Sequence, residues 1–138
     1  MREILFRAKR IDNGEWVEGQ YAYILNSKTE NGEPIKHFIC NGTNVFNCEV
    51  DPETLCQYTG LKDKNGNRIW ENDVVSFIDV SSTDSGYWER DCAGIVTWDC
   101  EYACFCVSER LSSESWEVLQ DCAVVGNIFD NPYLLKED

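Results

Sequence analysis

The chain has 138 residues, of which 43% are hydrophobic and 12% aromatic, and it carries 25 acidic against 12 basic side chains. This length and composition suit one folded globular domain, 1–138, and exclude a disordered chain or two large independent domains. Charges interrupt the apolar residues that follow Met1, and no apolar run approaches the ~18 residues of a membrane-spanning helix. We therefore expect a cytoplasmic protein with no signal peptide and no membrane partner.

The net charge of −13 is unevenly distributed along the chain. Residues 1–70 contain 9 Lys and Arg against 10 Asp and Glu, whereas residues 71–138 contain 3 against 15, so the halves carry −1 and −12. This break predicts two lobes within the domain, an N-terminal β-hairpin region 1–70 and an acidic barrel-like region 71–138. The acidic half should repel nucleic-acid phosphates and attract a basic partner, although a merely well-solvated face would have the same composition.

Short segments rich in Val, Ile, Phe, Tyr and Trp alternate with turn residues, which is typical of antiparallel β-structure. Asn13-Gly14 readily takes the positive φ of a tight turn and should join the first two strands as a hairpin. Asp51 before Pro52 predicts a capped single helical turn, and Ile128–Asn131 suits one turn of 3₁₀ helix. The predicted strands are Glu3–Lys9, Glu15–Tyr23, Ile35–Cys40, Asn44–Val50, Leu55–Thr59, Arg68–Trp70, Asp73–Val80, Ala93–Asp99, Tyr102–Glu109, Trp116–Gln120 and Ala123–Gly126.

Long helices are not expected, because no stretch of about 12 residues keeps a clean 3.6-residue apolar repeat. The pattern therefore predicts an all-β, mostly antiparallel protein with little helix. Two polar segments, Ser81–Asp91 and Leu111–Ser115, are predicted to be loops, and the first is expected to be the more mobile.

No constellation of residues indicates catalysis, a metal or a cofactor. The eight cysteines lack zinc-type pairing and mostly adjoin apolar residues, so we interpret them as small buried hydrophobes, without disulfides or metal. A Ser-His-Asp or Cys-His site needs a histidine as general base, and His37 is the only histidine in the chain. Glu71 and Asp73 are the most tempting acid pair, but a turn into the next strand explains them as well.

A binding site for a partner protein is the hypothesis that the acidic half favours. Its residues are Asp84, Tyr87, Trp88, Glu89 and Asp91. Aromatic side chains surrounded by charge suit a protein interface, because aromatics supply desolvation energy and charges steer the encounter. The alternative is that the two aromatic residues are partial core residues and the acids only solvate a loop.

Several segments together resemble the YopX family of phage and prophage proteins. They are Met1–Lys9 with Trp16–Gly19, Pro52–Thr54, Gln57–Asp63 with Asn65-Gly66, Glu71–Val75, Gly94–Val96 and Val125–Pro132. The chain departs from the family at Asn72, where Gly is usual, and at Cys56, where a small residue is expected. Asn tolerates positive φ, so the turn at residue 72 can survive.

The resemblance implies an all-β fold with an SH3-like barrel or roll, and carriage by a phage or an integrated element. It implies no activity and no functional residue. We therefore expect a non-enzymatic accessory protein that binds a host or phage protein, with neither cofactor nor generic nucleic acid as partner. An enzyme that uses carboxylates alone and a structural homo-oligomer are the two alternatives.

Binding to duplex DNA is a test of the expectation that the acidic half repels nucleic-acid phosphates. We expect no binding at physiological salt, because the basic cluster of Arg2, Arg7, Lys9 and Arg10 is confined to the first ten residues. A gel-shift assay with a low-micromolar dissociation constant that weakens steeply with salt would contradict this expectation.

Overall fold

The computed structural model describes residues 3–25, 34–42, 48–108 and 112–135, and most of their regular structure is antiparallel strand. One α-helix, α1 (Ser112–Gln120), and 3₁₀ turns at Pro52–Thr54 and Pro132–Leu135 complete the described elements. The chain divides into two compact units, Met1–Tyr58 and Thr59–Asp138. The strands are β1 (Phe6–Lys9), β2 (Trp16–Leu25), β3 (Pro34–Cys40), β4 (Cys56–Lys62), β5 (Arg68–Trp70), β6 (Asp73–Thr83), β7 (Gly86–Asp99), β8 (Cys104–Val107) and β9 (Ala123–Asn127).

Unit 1 is a sheet in the order β3-β2-β1, with the first residues of β4 beside β1. The β1–β2 hairpin turns at Asn13 and Gly14, where Gly14 has a φ of 72°, so the predicted Asn-Gly turn is confirmed. Three fully or almost fully buried residues form its core, with four half-buried hydrophobic residues packed against them. These are Ala8, Ile39 and Val50, with Phe6, Val17, Tyr21 and Leu55.

The predicted helical turn after Asp51 is present. The Asp51 carboxylate accepts a 3.0 Å hydrogen bond from the backbone N–H of Glu53, and Pro52 begins the turn. The predicted strand Asn44–Val50 lies partly outside the described residues, and its last two residues form only isolated bridges. The predicted 3₁₀ turn at Ile128–Asn131 is displaced toward the C-terminus, to Pro132–Leu135.

Unit 2 contains a four-stranded antiparallel sheet in the order β8-β7-β6-β9. Val75, Phe77, Val96 and Val107 of this sheet form one buried core with Ile69 of β5, Leu119 of α1 and Cys122. Within the described ranges no ladder joins β8 to β9, so this sheet is open and the closed barrel implied by the resemblance is not present. Its two edge strands are short, with four residues in β8 and five in β9.

A helix replaces a predicted loop and a predicted strand in unit 2. Ser112–Ser115 and the segment Trp116–Gln120 together form α1, whereas Leu111 lies outside the described residues. Ser115, Val118 and Leu119 are the buried or half-buried residues on the inner side of α1, and buried Cys122 follows two residues after its end with the same spacing. The sequence shows no clear 3.6-residue apolar repeat here, because the helix spans only about two and a half turns and two of these four side chains are not clearly apolar.

The carboxylate of Asp63 holds the β4–β5 turn and β9 together. One oxygen accepts hydrogen bonds from the backbone N–H groups of Asn65 and Asn67, at 2.9 and 2.8 Å, and the other accepts one from Val124 at 2.9 Å. Burial of this carboxyl raises its pKa, but these N–H donors outweigh burial, so the pKa lies below its usual value. Asp63 is therefore ionised in the folded protein at neutral pH.

Glu71 and Asp73, the candidate acid pair, lie in and just after the turn that leads into β6. Asn72 has a φ of 71°, as expected for the residue that replaces Gly there. Asp73 is buried, and its carboxylate accepts a 2.8 Å hydrogen bond from the backbone N–H of Trp70. Asp73 therefore fixes the local backbone, as the turn interpretation of Glu71 and Asp73 requires.

Asp63→Asn should lower the free energy of unfolding by about 1–3 kcal/mol at pH 7, because one acceptor oxygen becomes an NH₂ group that faces a backbone N–H. Since the pKa of Asp63 is lower in the folded state than in the unfolded state, its contribution is present above the unfolded pKa and lost as pH falls through the folded pKa. Urea unfolding of both proteins across pH 2–7 should show the difference shrinking below about pH 4. The exposed Glu101→Gln is the control, and a difference independent of pH would contradict the assignment.

Candidate functional site

The part of the β6–β7 hairpin from Ile78 to Asp91, here called the arm, extends past the neighbouring strands of its sheet. The hairpin ladder continues to Thr83↔Gly86, whereas β9 pairs with β6 only over Asp73–Ser76 and β8 pairs with β7 only over Val96–Asp99. The segment Ser81–Asp91 was expected to be a loop, and this expectation is wrong except at Asp84 and Ser85. This polar segment forms strands because its residues pair with the opposite strand of the hairpin across a tight turn.

The arm exposes large apolar side chains to solvent. The exposed fractions are 56% for Ile78, 53% for Val80, 63% for Tyr87 and 46% for Trp88. The interpretation of Tyr87 and Trp88 as partial core residues is therefore wrong. Ile78, Val80 and Tyr87 form an exposed apolar surface on one face of the arm, and Trp88 is exposed on the other face. Exposed apolar surfaces mark interaction sites.

The five predicted site residues all lie on the arm but not on one face. Side chains alternate between the faces of a strand, and directly paired residues share a face. The pairs Ile78↔Asp91 and Val80↔Glu89 therefore lie on one face, where Tyr87 also belongs. Trp88 lies on the opposite face, and Asp84 is in the turn.

Polar contacts order the side chains on both faces of the arm. The Tyr87 hydroxyl donates a 2.6 Å hydrogen bond to the carboxylate of Glu89, which raises the pKa of Tyr87. On the other face the Arg90 guanidinium lies 3.4 Å from the Asp79 carboxylate and 5.7 Å from the Trp88 ring centre. These contacts reduce the rotamer entropy that the aromatic rings would lose on binding.

A groove of about 930 Å³ adjoins the arm within unit 2. Its lining combines apolar side chains with five carboxylates and one ammonium group. The residues are Lys64, Ser76, Phe77, Ile78, Asp79, Val80, Glu89, Asp91, Glu117, Val118 and Asp121. Five acidic residues against one basic residue give the lining a net charge of −4, although Asp79 is paired with Arg90 outside the lining.

Most of this lining was not singled out from the sequence. Ile78 and Val80 could have been found, because they alternate with Val75 and Phe77 on the other face and so make both faces of β6 apolar. Glu117 and Asp121 could not, since they were placed on a strand and in a loop instead of on and just after α1.

Elsewhere, His37 is engaged in an aromatic cluster. Its Nδ1 lies 2.5 Å from the Tyr21 hydroxyl oxygen, and the two rings stack with centroids 5.9 Å apart. Burial raises the pKa of Tyr21. These contacts give His37 a packing role between two strands of unit 1.

Three of the eight cysteines, Cys48, Cys56 and Cys122, are buried, as the interpretation of small hydrophobes requires, whereas Cys100 is exposed and the others are half-buried. Burial, followed by nearby carboxylates, raises the pKa of Cys122 to about 11, so this thiol stays protonated. Across the described ranges no three His, Cys, Asp or Glu side chains are placed to hold a metal ion. Nor does any helix in these ranges have the length and apolarity needed to cross a membrane.

Comparison with known proteins gives a family and a fold. The family model described as YopX protein matches residues 5–136. A solved structure, protein EF1440 from Enterococcus faecalis, is similar with a TM-score of 0.59 and 23% sequence identity, and the match covers 99% of this chain and 100% of that one. No curated protein matches.

The double variant Tyr87→Ala with Trp88→Ala should lower the free energy of unfolding by only about 1 kcal/mol, because both rings keep roughly half or more of their surface in solvent. Val96→Ala, in the core of the same strand, should cost about 2 kcal/mol. Urea unfolding measures both. A loss from the double variant as large as that from Val96→Ala would show that the two rings are core residues.

Proposed function

The chain belongs to the YopX family, and we propose that it works by binding a protein partner through the arm, without catalysing a reaction. The observation that carries this proposal is the exposure of Ile78, Val80, Tyr87 and Trp88 on a hairpin that extends past its neighbouring strands. A monomer gains nothing from holding these side chains in water, whereas an interface would bury them.

The charges on the arm support a protein partner over a small ligand. Glu89 and Asp91 lie directly across from Val80 and Ile78 on one face of the arm, and Asp84 lies in its turn, so charged groups adjoin the exposed apolar side chains, as in many protein interfaces. Rim charges mainly raise the association rate, and the exposed aromatic side chains supply most of the affinity.

The resemblance to phage and prophage proteins supports the biological setting of the proposal. We propose that the protein is an accessory product of a phage or integrated element and that its partner is a host or phage protein. Measuring its transcript before and after induction of the element would test this setting, since an accessory gene should follow the element's own expression.

The binding proposal is tested with tagged protein in lysate of a bacterium that carries the gene, followed by reconstitution with the purified partner. The double variant Tyr87→Ala with Trp88→Ala should raise the dissociation constant by about 100-fold, because two hot-spot rings together contribute about 2–3 kcal/mol to the binding free energy. Asp84→Lys with Glu89→Lys should slow association in a salt-dependent way.

Tyr102→Ala is the matched control, since this ring is 67% exposed in the β7–β8 turn, away from the arm. It should retain full affinity. A reconstituted complex that is insensitive to both arm variants would place the binding site elsewhere, and a partner lost equally with Tyr102→Ala would indicate non-specific adsorption of aromatic side chains.

A further inference from the structure

We infer that the groove beside the arm receives an extended basic segment of the partner, with Arg or Lys side chains among its contact residues. This inference rests on the proposed function and specifies the chemistry of the partner. Its basis is the joint presence, in one groove of about 930 Å³, of an apolar lining and a one-sided distribution of charge.

The charge around the groove selects the sign of the occupant. Five carboxylates line it, and Lys64 is the one cation in its lining. Asp79 already contacts Arg90 and Glu89 accepts the Tyr87 hydrogen bond, but an occupant without positive charge would desolvate the acidic lining without adding any cationic partner. The lining carboxylates are Asp79, Glu89, Asp91, Glu117 and Asp121.

The same charge argues against a second copy of the chain and against nucleic acid. Residues 71–138 carry −12, so a second copy would bring like charges toward the groove unless its basic N-terminal region alone made the contact. Phosphate groups would be repelled for the same reason. A basic polypeptide is the occupant that gains from the field of the groove.

The apolar lining explains why Arg and Lys suit the groove better than a bare cation. Phe77 and Val118 line it together with the exposed Ile78 and Val80. The methylene stems of Arg and Lys can pack on such side chains while their charged ends reach carboxylates. The volume lies within the range of about 300–1,000 Å³ typical of ligand pockets, which suits a few side chains of a peptide and not a folded domain.

The probe is a fluorescein-labelled ten-residue peptide of alternating Arg and Leu, measured by fluorescence anisotropy, and the reference peptide replaces each Arg by Glu. The protein should bind the Arg peptide and not the Glu peptide. Glu117→Lys with Asp121→Lys should weaken binding by about tenfold or more at 50 mM salt, and the difference should shrink with added salt.

The charge-matched control is Glu53→Lys with Glu101→Lys, two exposed acids outside the groove lining. It should keep the affinity within about twofold. Asp91→Lys, on the arm side of the groove, is a second groove variant that keeps the test valid if the changes beside α1 unfold the helix, which circular dichroism reports. Equal losses in groove and control variants would show attraction by overall charge alone and would overturn the inference.

The two proposals fail separately. An Arg peptide that does not bind, together with a reconstituted partner that still depends on Tyr87 and Trp88, would overturn the groove inference and leave the binding function intact. A peptide that binds in the groove, with a partner that ignores the arm variants, would retain a basic-segment site and overturn the arm as the interface.

Discussion

The pairing of β6 with β7 is the constraint on which the candidate site depends. At its base the hairpin contributes Val75, Phe77 and Val96 to the core of unit 2, and its register continues without a shift to Thr83↔Gly86. A two-stranded ribbon by itself is marginally stable in water. The arm can be ordered because its strands are continuations of strands whose other halves are buried and paired on both sides.

The family residues that lie in unit 2 maintain its backbone and do not line the groove. Asp63 satisfies three backbone N–H groups, and Asn127 accepts hydrogen bonds from the backbone N–H groups of Phe129 and Asp130, at 3.0 and 2.9 Å. At Gly126 an added Cβ would come within 2.5 Å of the Asn131 amide oxygen, so no larger residue fits without displacing that side chain. The signature therefore specifies turns, and a shared scaffold of this kind can carry different binding surfaces.

Features with local causes could be predicted from the sequence. The Asn13-Gly14 turn, the Asp51 cap and the positive φ of Asn72 each depend on the chemistry of one or two neighbouring residues, and each is present. The family and the antiparallel β class also followed, because joint motif spacing and frequent turn signals extend over the whole chain.

Features with distant causes could not be predicted in the same way. The end of the arm around its turn, from Ser81 to Gly86, is polar, and its strands stabilise each other through cross-strand pairing, which a linear pattern of hydrophobicity does not reveal. The helix α1 is defined by packing of Ser115 and Leu119 on the sheet, including a 2.9 Å hydrogen bond from the backbone N–H of Val107 to the Ser115 hydroxyl. As a result the site residues were found on the arm, whereas those contributed by the helix were missed.

The division of the arm into two faces constrains the shape of any partner. Tyr87 shares one face with Ile78 and Val80, while Trp88 and Arg90 lie on the other. A flat surface can cover only one of these faces, so a partner that contacts both aromatic rings must enclose the ribbon from two sides. A partner with a cleft that receives the arm, and a basic segment beside that cleft, would satisfy the apolar side chains and the acidic groove together.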